Sequence, residues 1–238
     1  YYVNKNQTLY NKGWLNLNGT WYYLASDGKM KTGLLSTDGK KYLLKSNGAM
    51  LSGNGWTQYD KHWYYIYPNG SLHTNNWLNL NGTWYYLNGS GAMQTGWLKL
   101  GSTWYYLNPS NGAMRTGWYQ VGKTWYYSNG SGAMQTGWLG IGNTWYYLNG
   151  SGAMLTGWQK IGGCSYYFNP SNGAMSSGWL TIKEKKYYLN SSGVTLTGWQ
   201  QISGKWYYFN SSGVMQTGSI TVGGSKYYLN KNGVMQTG

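Results

Sequence analysis

"WLNLNGTWYYL", residues 77–87, decides the fold because a hairpin turn, Asn81-Gly82, stands at its centre. Both central residues of a type I′ turn need positive φ, and Asn-Gly is the strongest short signal for that geometry. A two-residue turn there pairs Leu80 with Thr83, Asn79 with Trp84, Leu78 with Tyr85 and Trp77 with Tyr86. Side chains alternate between the faces of a strand. Trp77, Trp84 and Tyr86 therefore share one face, and Leu78, Leu80, Tyr85 and Leu87 project from the other.

The same block returns along the whole chain. Its first position falls at Trp14, Leu34, Trp56, Trp77, Trp97, Trp118, Trp138, Trp158, Trp179, Trp199 and Ser219, at intervals of 20 to 22 residues. Seven places further on, each unit starts its triplet, at Trp21, Lys41, Trp63, Trp84, Trp104, Trp125, Trp145, Ser165, Lys186, Trp206 and Lys226. Extra residues enter only outside the block, as in the "NPSNG" stretches at 108–112 and 169–173. The block is constrained and the linker is free. Lys183-Glu184 and Asp60-Lys61 are the weakest turn dipeptides. One hairpin alone is marginal in water, but successive hairpins can bury their apolar faces on one another. The expectation is an all-β fold, an elongated β-hairpin solenoid of about eleven 20–22-residue repeats, forming a single repeat domain over 1–238. A β-propeller needs about 40 residues per four-stranded blade, and eleven two-stranded units do not group into such blades.

Composition narrows the function. The chain has 238 residues, 19% aromatic and only 9% charged, with 18 Lys and Arg against 4 acidic residues, a net charge of +14. That balance points to an anionic partner. One cysteine, Cys164, excludes an internal disulfide framework. No apolar run approaches the roughly 18 residues of a membrane span. The start carries neither an initiator Met nor a signal-like segment, so the chain reads as a piece of a larger surface protein.

The aromatic face is the functional signal. Trp stands at both named positions in seven units, while the opposite face already supplies Leu, Ile, Val and Tyr for stacking. Two indoles from one hairpin and a phenol from the next form an aromatic cage. Such a cage suits a quaternary ammonium group, which ring faces attract without a carboxylate. Between Lys61 and Lys183 the sequence has no Asp or Glu, so an ammonium site there is purely aromatic.

The pattern "TGWxxxGxTWYYLNxxGAMxTGW", at 95–118 and again at 136–158, resembles the choline-binding repeat, part of the cell-wall and glucan-binding repeats of Gram-positive bacteria and their phages. The resemblance covers all eleven units. It implies a β-solenoid that binds choline and phosphocholine on teichoic and lipoteichoic acids at the bacterial surface, outside the cell. It also implies a non-catalytic module anchoring a murein hydrolase, adhesin or other surface protein. In that family the cage takes two Trp of one repeat, a Tyr of the next and often a nearby Met. Because the last Tyr of a triplet shares the Trp face, carry-over gives Trp56/Trp63/Tyr86, Trp77/Trp84/Tyr106, Trp97/Trp104/Tyr127, Trp118/Trp125/Tyr147, Trp138/Trp145/Tyr167 and Trp199/Trp206/Tyr228. Met93, Met114, Met134 and Met154 are candidate cage floors. The first unit lacks a closing ring on this reading, since Leu43 stands in the last place of the next triplet. Related repeats outside the choline-binding group bind neutral glucans or other glycans, which is the alternative.

Lys41, Lys186 and Lys226 replace the second cage Trp, and Ser165 leaves it unfilled. A Lys ammonium about 5 Å from a bound cation, at an effective dielectric of about 20, repels it by roughly 3 kcal/mol. One ring contributes only ~0.5–2 kcal/mol, so those units lose their cage. The Lys side chains scattered between cages are expected to attract the phosphates of a choline-bearing polymer.

Other chemistries find no support. Asp27, Asp38, Asp60 and Glu184 lie in separate units and form no glycosidase pair. Cys164 has no evident base beside it. His62 and His73 lack a second ligand at metal spacing and read as surface residues, so no metal or cofactor is expected. Asn81, Asn88 and Asn149 match a glycosylation sequon, but turn chemistry accounts for them. No repeat position carries Lys in more than a few of the units, as a stripe tracking a nucleic-acid backbone would require. Nucleic acid is therefore not an expected partner.

Overall fold

The computed structural model describes residues 2–3, 9–10 and 12–236; the outermost parts of the repeat assignment, at 1, 4–8, 11 and 237–238, lie outside the described residues. Among the described residues there is no helix, and eleven pairs of five-residue strands follow one another, from Gly13–Leu17 with Thr20–Leu24 to Gly218–Val222 with Ser225–Leu229. Each pairs antiparallel with its sequence neighbour. Register follows the turn. Leu80 faces Thr83, Asn79 faces Trp84, Leu78 faces Tyr85 and Trp77 faces Tyr86.

Turn chemistry sets that register in most hairpins. Asn81 and Gly82 take φ of 51° and 84°, the type I′ geometry. Gly101, Gly122 and Gly142 have positive φ only at the first central residue, so those turns are type II′ and accept Ser102, Lys123 and Asn143 behind them. Asp60-Lys61 and Lys183-Glu184 are forced into the left-handed region at both positions, with φ of 46° and 63° and of 47° and 66°. They keep the hairpin against local preference.

The linker then folds back. Met93 bridges Leu87 at the end of its own hairpin, and the Gln94 N–H donates to the Tyr86 carbonyl at 2.8 Å. Asn88 organises the bend, its side-chain oxygen accepting from the backbone of Ser90 and Ala92 and from the Ser90 hydroxyl. Asn129 and Asn149 do the same in their linkers. The sequon asparagines Asn88 and Asn149 are thus occupied in turn hydrogen bonds.

Two compact units result, one running to Gly117 and including Ser128–Met134, the other comprising Trp118–Tyr127 and Gln135–Gly238. Each has a narrow core made by the last residue of the second strand of each hairpin. In the first unit Leu44, Ile66, Leu87 and Leu107 are fully buried; in the second, Leu148, Phe168, Leu189, Phe209 and Leu229 are. At about 1.5–3 kcal/mol per buried side chain, this row is the main apolar stabilisation of the stack.

The strained turn is open to correction. A non-glycine residue in the left-handed region costs roughly 1–2 kcal/mol, offset in part by the greater unfolded-state entropy of glycine. Replacing Lys183-Glu184 by Asn-Gly is expected to stabilise hairpin 178–189 by about 1 kcal/mol, read as slower amide exchange in that hairpin than in 198–209.

Candidate functional site

Within each compact unit successive hairpins stack front to back, and this decides which rings meet. The Trp face of one hairpin is covered by the opposite face of the next. That face carries the middle Tyr of the triplet. Trp56 therefore meets Tyr85 (ring centroids 5.0 Å apart), Trp77 meets Tyr105 (4.9 Å), and Trp118 meets Tyr146 (4.9 Å). Trp138 with Tyr166 and Trp199 with Tyr227 repeat the contact at 4.9 and 4.8 Å. The last Tyr of the triplet, expected from alternation to close the preceding cage, instead lies edge-on to the Trp of its own hairpin. Tyr86 sits 5.3 Å from Trp77, Tyr106 4.9 Å from Trp97, and Tyr127 5.2 Å from Trp118. Tyr147 and Tyr167 stand likewise against Trp138 and Trp158, both at 5.1 Å. Tyr228 faces Ser219 and is exposed.

This geometry restores a cage missed in the sequence. Tyr42 packs on Trp14 at 4.7 Å, and Trp14, Trp21, Tyr42, Met50 and Asn69 line a cavity of about 280 Å³. Matching cavities are lined by Trp77, Trp84, Tyr105, Met114 and Ser131 (about 220 Å³) and by Trp118, Trp125, Tyr146, Met154, Ser171 and Asn172 (about 270 Å³). In three hairpins the two indoles stand almost at right angles: 88° between Trp14 and Trp21, 90° between Trp97 and Trp104, 82° between Trp138 and Trp145. They make two walls of a corner, and the Tyr of the next hairpin makes a third. The second Trp keeps one face in solvent; Trp84 is 42% and Trp145 50% exposed.

The floor comes from the linker after that. Met114 donates its N–H to the Trp84 carbonyl at 2.8 Å, and Met154 does so to Trp125 at 2.9 Å. Met93 and Met134 make the same bond to Trp63 and Trp104, both at 2.8 Å. Met50 and Met215, not singled out in the sequence, take equivalent places on Trp21 and Lys186. The glycine of the following linker leaves room for the Met side chain: a Cβ on Gly132, at φ 81°, would lie 2.2 Å from Met114 Sδ.

No carboxylate lines these pockets. The indole face already attracts ammonium within the chain, since Lys99 Nζ lies 5.5 Å from the ring centre of Trp104. Where Lys41 replaces the second Trp, its ammonium donates to the Gly89 carbonyl. Tyr64 is buried there, and burial, followed by the charge of Asp60, raises its phenol above the ordinary value. His62 is exposed, but His73 is half-buried and pairs through Nδ1 with the Tyr67 hydroxyl at 2.8 Å, so it is not the surface residue expected.

Fold and site together define a hairpin-repeat module whose successive units carry a carboxylate-free aromatic pocket. The chain belongs to the choline-binding repeat family: the family model matches residues 74–116, 115–156, 155–195 and 196–238, and a second, described as a putative cell wall binding repeat, matches 12–30, 32–50 and 54–72. It is a choline- and cell-wall-binding type of module. CbpJ from Streptococcus pneumoniae TIGR4 has a similar structure, with a TM-score of 0.81 and 34% identity, covering 99% of this chain and 96% of that one. Choline binding protein F from Streptococcus pneumoniae, solved in the presence of a peptidoglycan analogue, follows at 0.69 and 29%, covering 96% and 94%. Glucosyltransferase-S of Streptococcus mutans is 34% identical over 80 residues, 33% of this chain and 6% of that protein. The chain thus matches only a small part of the length of its curated relatives.

A matched pair of substitutions tests the floor. A Cβ added to Gly96 (φ 72°) would meet nothing within 4 Å, whereas one added to Gly132 would meet Met114. Gly96→Ala is expected to cost only the backbone strain, about 1–2 kcal/mol. Gly132→Ala is expected to cost more in denaturant titration and also to weaken ligand binding at Trp77/Trp84 by pushing Met114 inward.

Proposed function

We propose that each complete pocket takes the trimethylammonium group of choline, and that the chain thereby holds phosphocholine on teichoic and lipoteichoic acids and anchors an attached domain to the cell wall. The observation that carries this is the corner of two perpendicular indoles closed by a phenol, with no carboxylate beside it. Ring faces attract a cation through their quadrupoles, worth about 0.5–2 kcal/mol per ring as water is excluded. A methylated ammonium has no N–H to satisfy, so an apolar floor such as Met114 suits it. The proposed cages are Trp14/Trp21/Tyr42, Trp56/Trp63/Tyr85, Trp77/Trp84/Tyr105, Trp118/Trp125/Tyr146, Trp138/Trp145/Tyr166 and Trp199/Trp206/Tyr227.

Affinity for one choline group is modest, and a polymer bearing many gains by engaging several pockets at once. The +14 charge acts on the polymer phosphates rather than on the choline ends. The attached domain in this reading is a murein hydrolase, adhesin or other surface protein, and the module itself does no chemistry.

The chain is expected to be retained on a quaternary-amine resin and released by free choline, while glucose oligomers leave it bound. Release by glucose oligomers alone would favour a glycan-binding module. Calorimetry is expected to show one choline site fewer for Tyr105→Leu and an unchanged number for Tyr106→Leu. Site loss in Tyr106→Leu with none in Tyr105→Leu would mean that the last Tyr closes the cage.

Salt separates the two halves of the proposal. Binding to isolated teichoic acid is expected to weaken steeply between low and high salt, because charge attraction to many phosphates is screened. Binding of free choline is expected to change little. Identical salt dependence would make the lysines solubilising residues.

A further inference from the structure

Hairpin 178–189 keeps a pocket of about 300 Å³ although its second Trp is replaced by Lys186. Trp179, Thr181, Lys186, Tyr207, Met215 and Asn232 line it. Its frame is that of the aromatic cages: Trp179 and Tyr207 lie 5.0 Å apart, and Met215 donates its N–H to the Lys186 carbonyl at 2.8 Å. What changes is the chemistry of the mouth. An ammonium and a hydroxyl take the place of one aromatic wall, beside Asn232, which stands where Asn69 and Ser131 line the aromatic pockets.

Lys41, at the same repeat position, behaves differently. Lys41 spends its ammonium on the Gly89 carbonyl in the linker "Asn88-Gly89-Ser90". The corresponding linker beside Lys186 reads "Asn230-Lys231-Asn232", so a second cation stands where Gly89 stood. Among the described residues no carboxylate pairs with either lysine; the only ion pair is between Lys29 and Asp27. The pocket therefore concentrates donors and positive charge and offers nothing negative.

We propose that this pocket is an oxyanion site that takes a phosphodiester of the polymer whose choline groups the aromatic cages hold. Lys186 supplies the charge, Lys231 adds to it from the rim, and Thr181 and Asn232 supply neutral donors to the remaining oxygens. Trp179, Tyr207 and Met215 receive the carbon chain on either side of the phosphate. The repulsion that removes choline from this unit is what recruits the anion. The proposal rests on the choline-polymer reading for its ligand, while its residues stand independently of that reading.

The experiment titrates the whole chain, in parallel, with choline, inorganic phosphate and glycerol phosphate oligomers, for wild type, Lys186→Gln and Lys186→Trp. The Lys186 side chain is exposed and only its carbonyl joins the stack, so both variants are expected to fold, as circular dichroism would register. Lys186→Gln is expected to weaken binding of the oligomers about tenfold, the loss of one charge-assisted hydrogen bond, without changing the number of choline sites. Lys186→Trp is expected to lose the oligomer component and gain one choline site. Oligomer binding unchanged in Lys186→Gln would overturn the site and assign anion binding to net charge. Lys186-dependent binding of inorganic phosphate without the oligomers would overturn the assignment to a polymer phosphodiester. Absence of choline binding in wild type would sink the cage reading alone and leave the Lys186 comparison intact.

Discussion

One backbone hydrogen bond per repeat sets the rest of the molecule. The N–H of the linker residue, Met93, Met114, Met154 or Met175, donates to the carbonyl of the second cage position of the preceding hairpin. It fixes the step from one hairpin to the next at a point beside the ligand pocket. Since the linker also pairs with its own hairpin at Leu87, Leu107, Leu148 or Phe168, each hairpin is held between two neighbours by backbone groups that must be satisfied once buried. The block between turn and bond therefore tolerates no insertion, and the extra residues at 108–112 and 169–173 fall where the chain loops outside it.

The stack explains the glycines of the linker as well as the tryptophans. The bend after each hairpin needs a left-handed residue, and Gly132 and Gly112 provide it. The same missing Cβ lets Met114 and Met93 lie against the bend. Methionine fits there because its unbranched thioether adapts to an irregular gap between a glycine and aromatic rings. Conformation and packing thus ask for one residue at one place, which is why the "GAM" string recurs so faithfully.

Much of this was legible in the sequence, and what was not has a definite cause. Turn position, pairing and face alternation are local, and all followed from Asn81-Gly82 and the period of two. Even the poor dipeptide Lys183-Glu184 kept the geometry, because its neighbours hold the hairpin closed. The choice of closing Tyr depends instead on which face of the next hairpin is presented, a tertiary fact that alternation within one hairpin cannot supply. Extending the Trp face to the next unit selected Tyr106, whereas front-to-back stacking presents Tyr105. A signal did exist: the middle place of the triplet is Tyr in every unit, including Tyr42, whereas the last place becomes Leu43 in one. A residue needed by the neighbour as well as by its own hairpin is the less replaceable of the two.

The division of labour at the second cage position accounts for the unequal repeats. Its carbonyl belongs to the stack and its side chain to the pocket. Lys41, Ser165 and Lys186 still accept the linker hydrogen bond, from Leu72, Thr195 and Met215 at 2.8, 2.9 and 2.8 Å. Losing the indole therefore leaves that backbone bond in place. The first Trp packs between the last Tyr of its own hairpin and the middle Tyr of the next, as Trp138 does between Tyr147 and Tyr166. Substitutions that change ligand chemistry accumulate where the backbone alone carries the structure. The pocket's side chains can thereby change from aromatic to cationic, as at Lys186, without altering the step between hairpins.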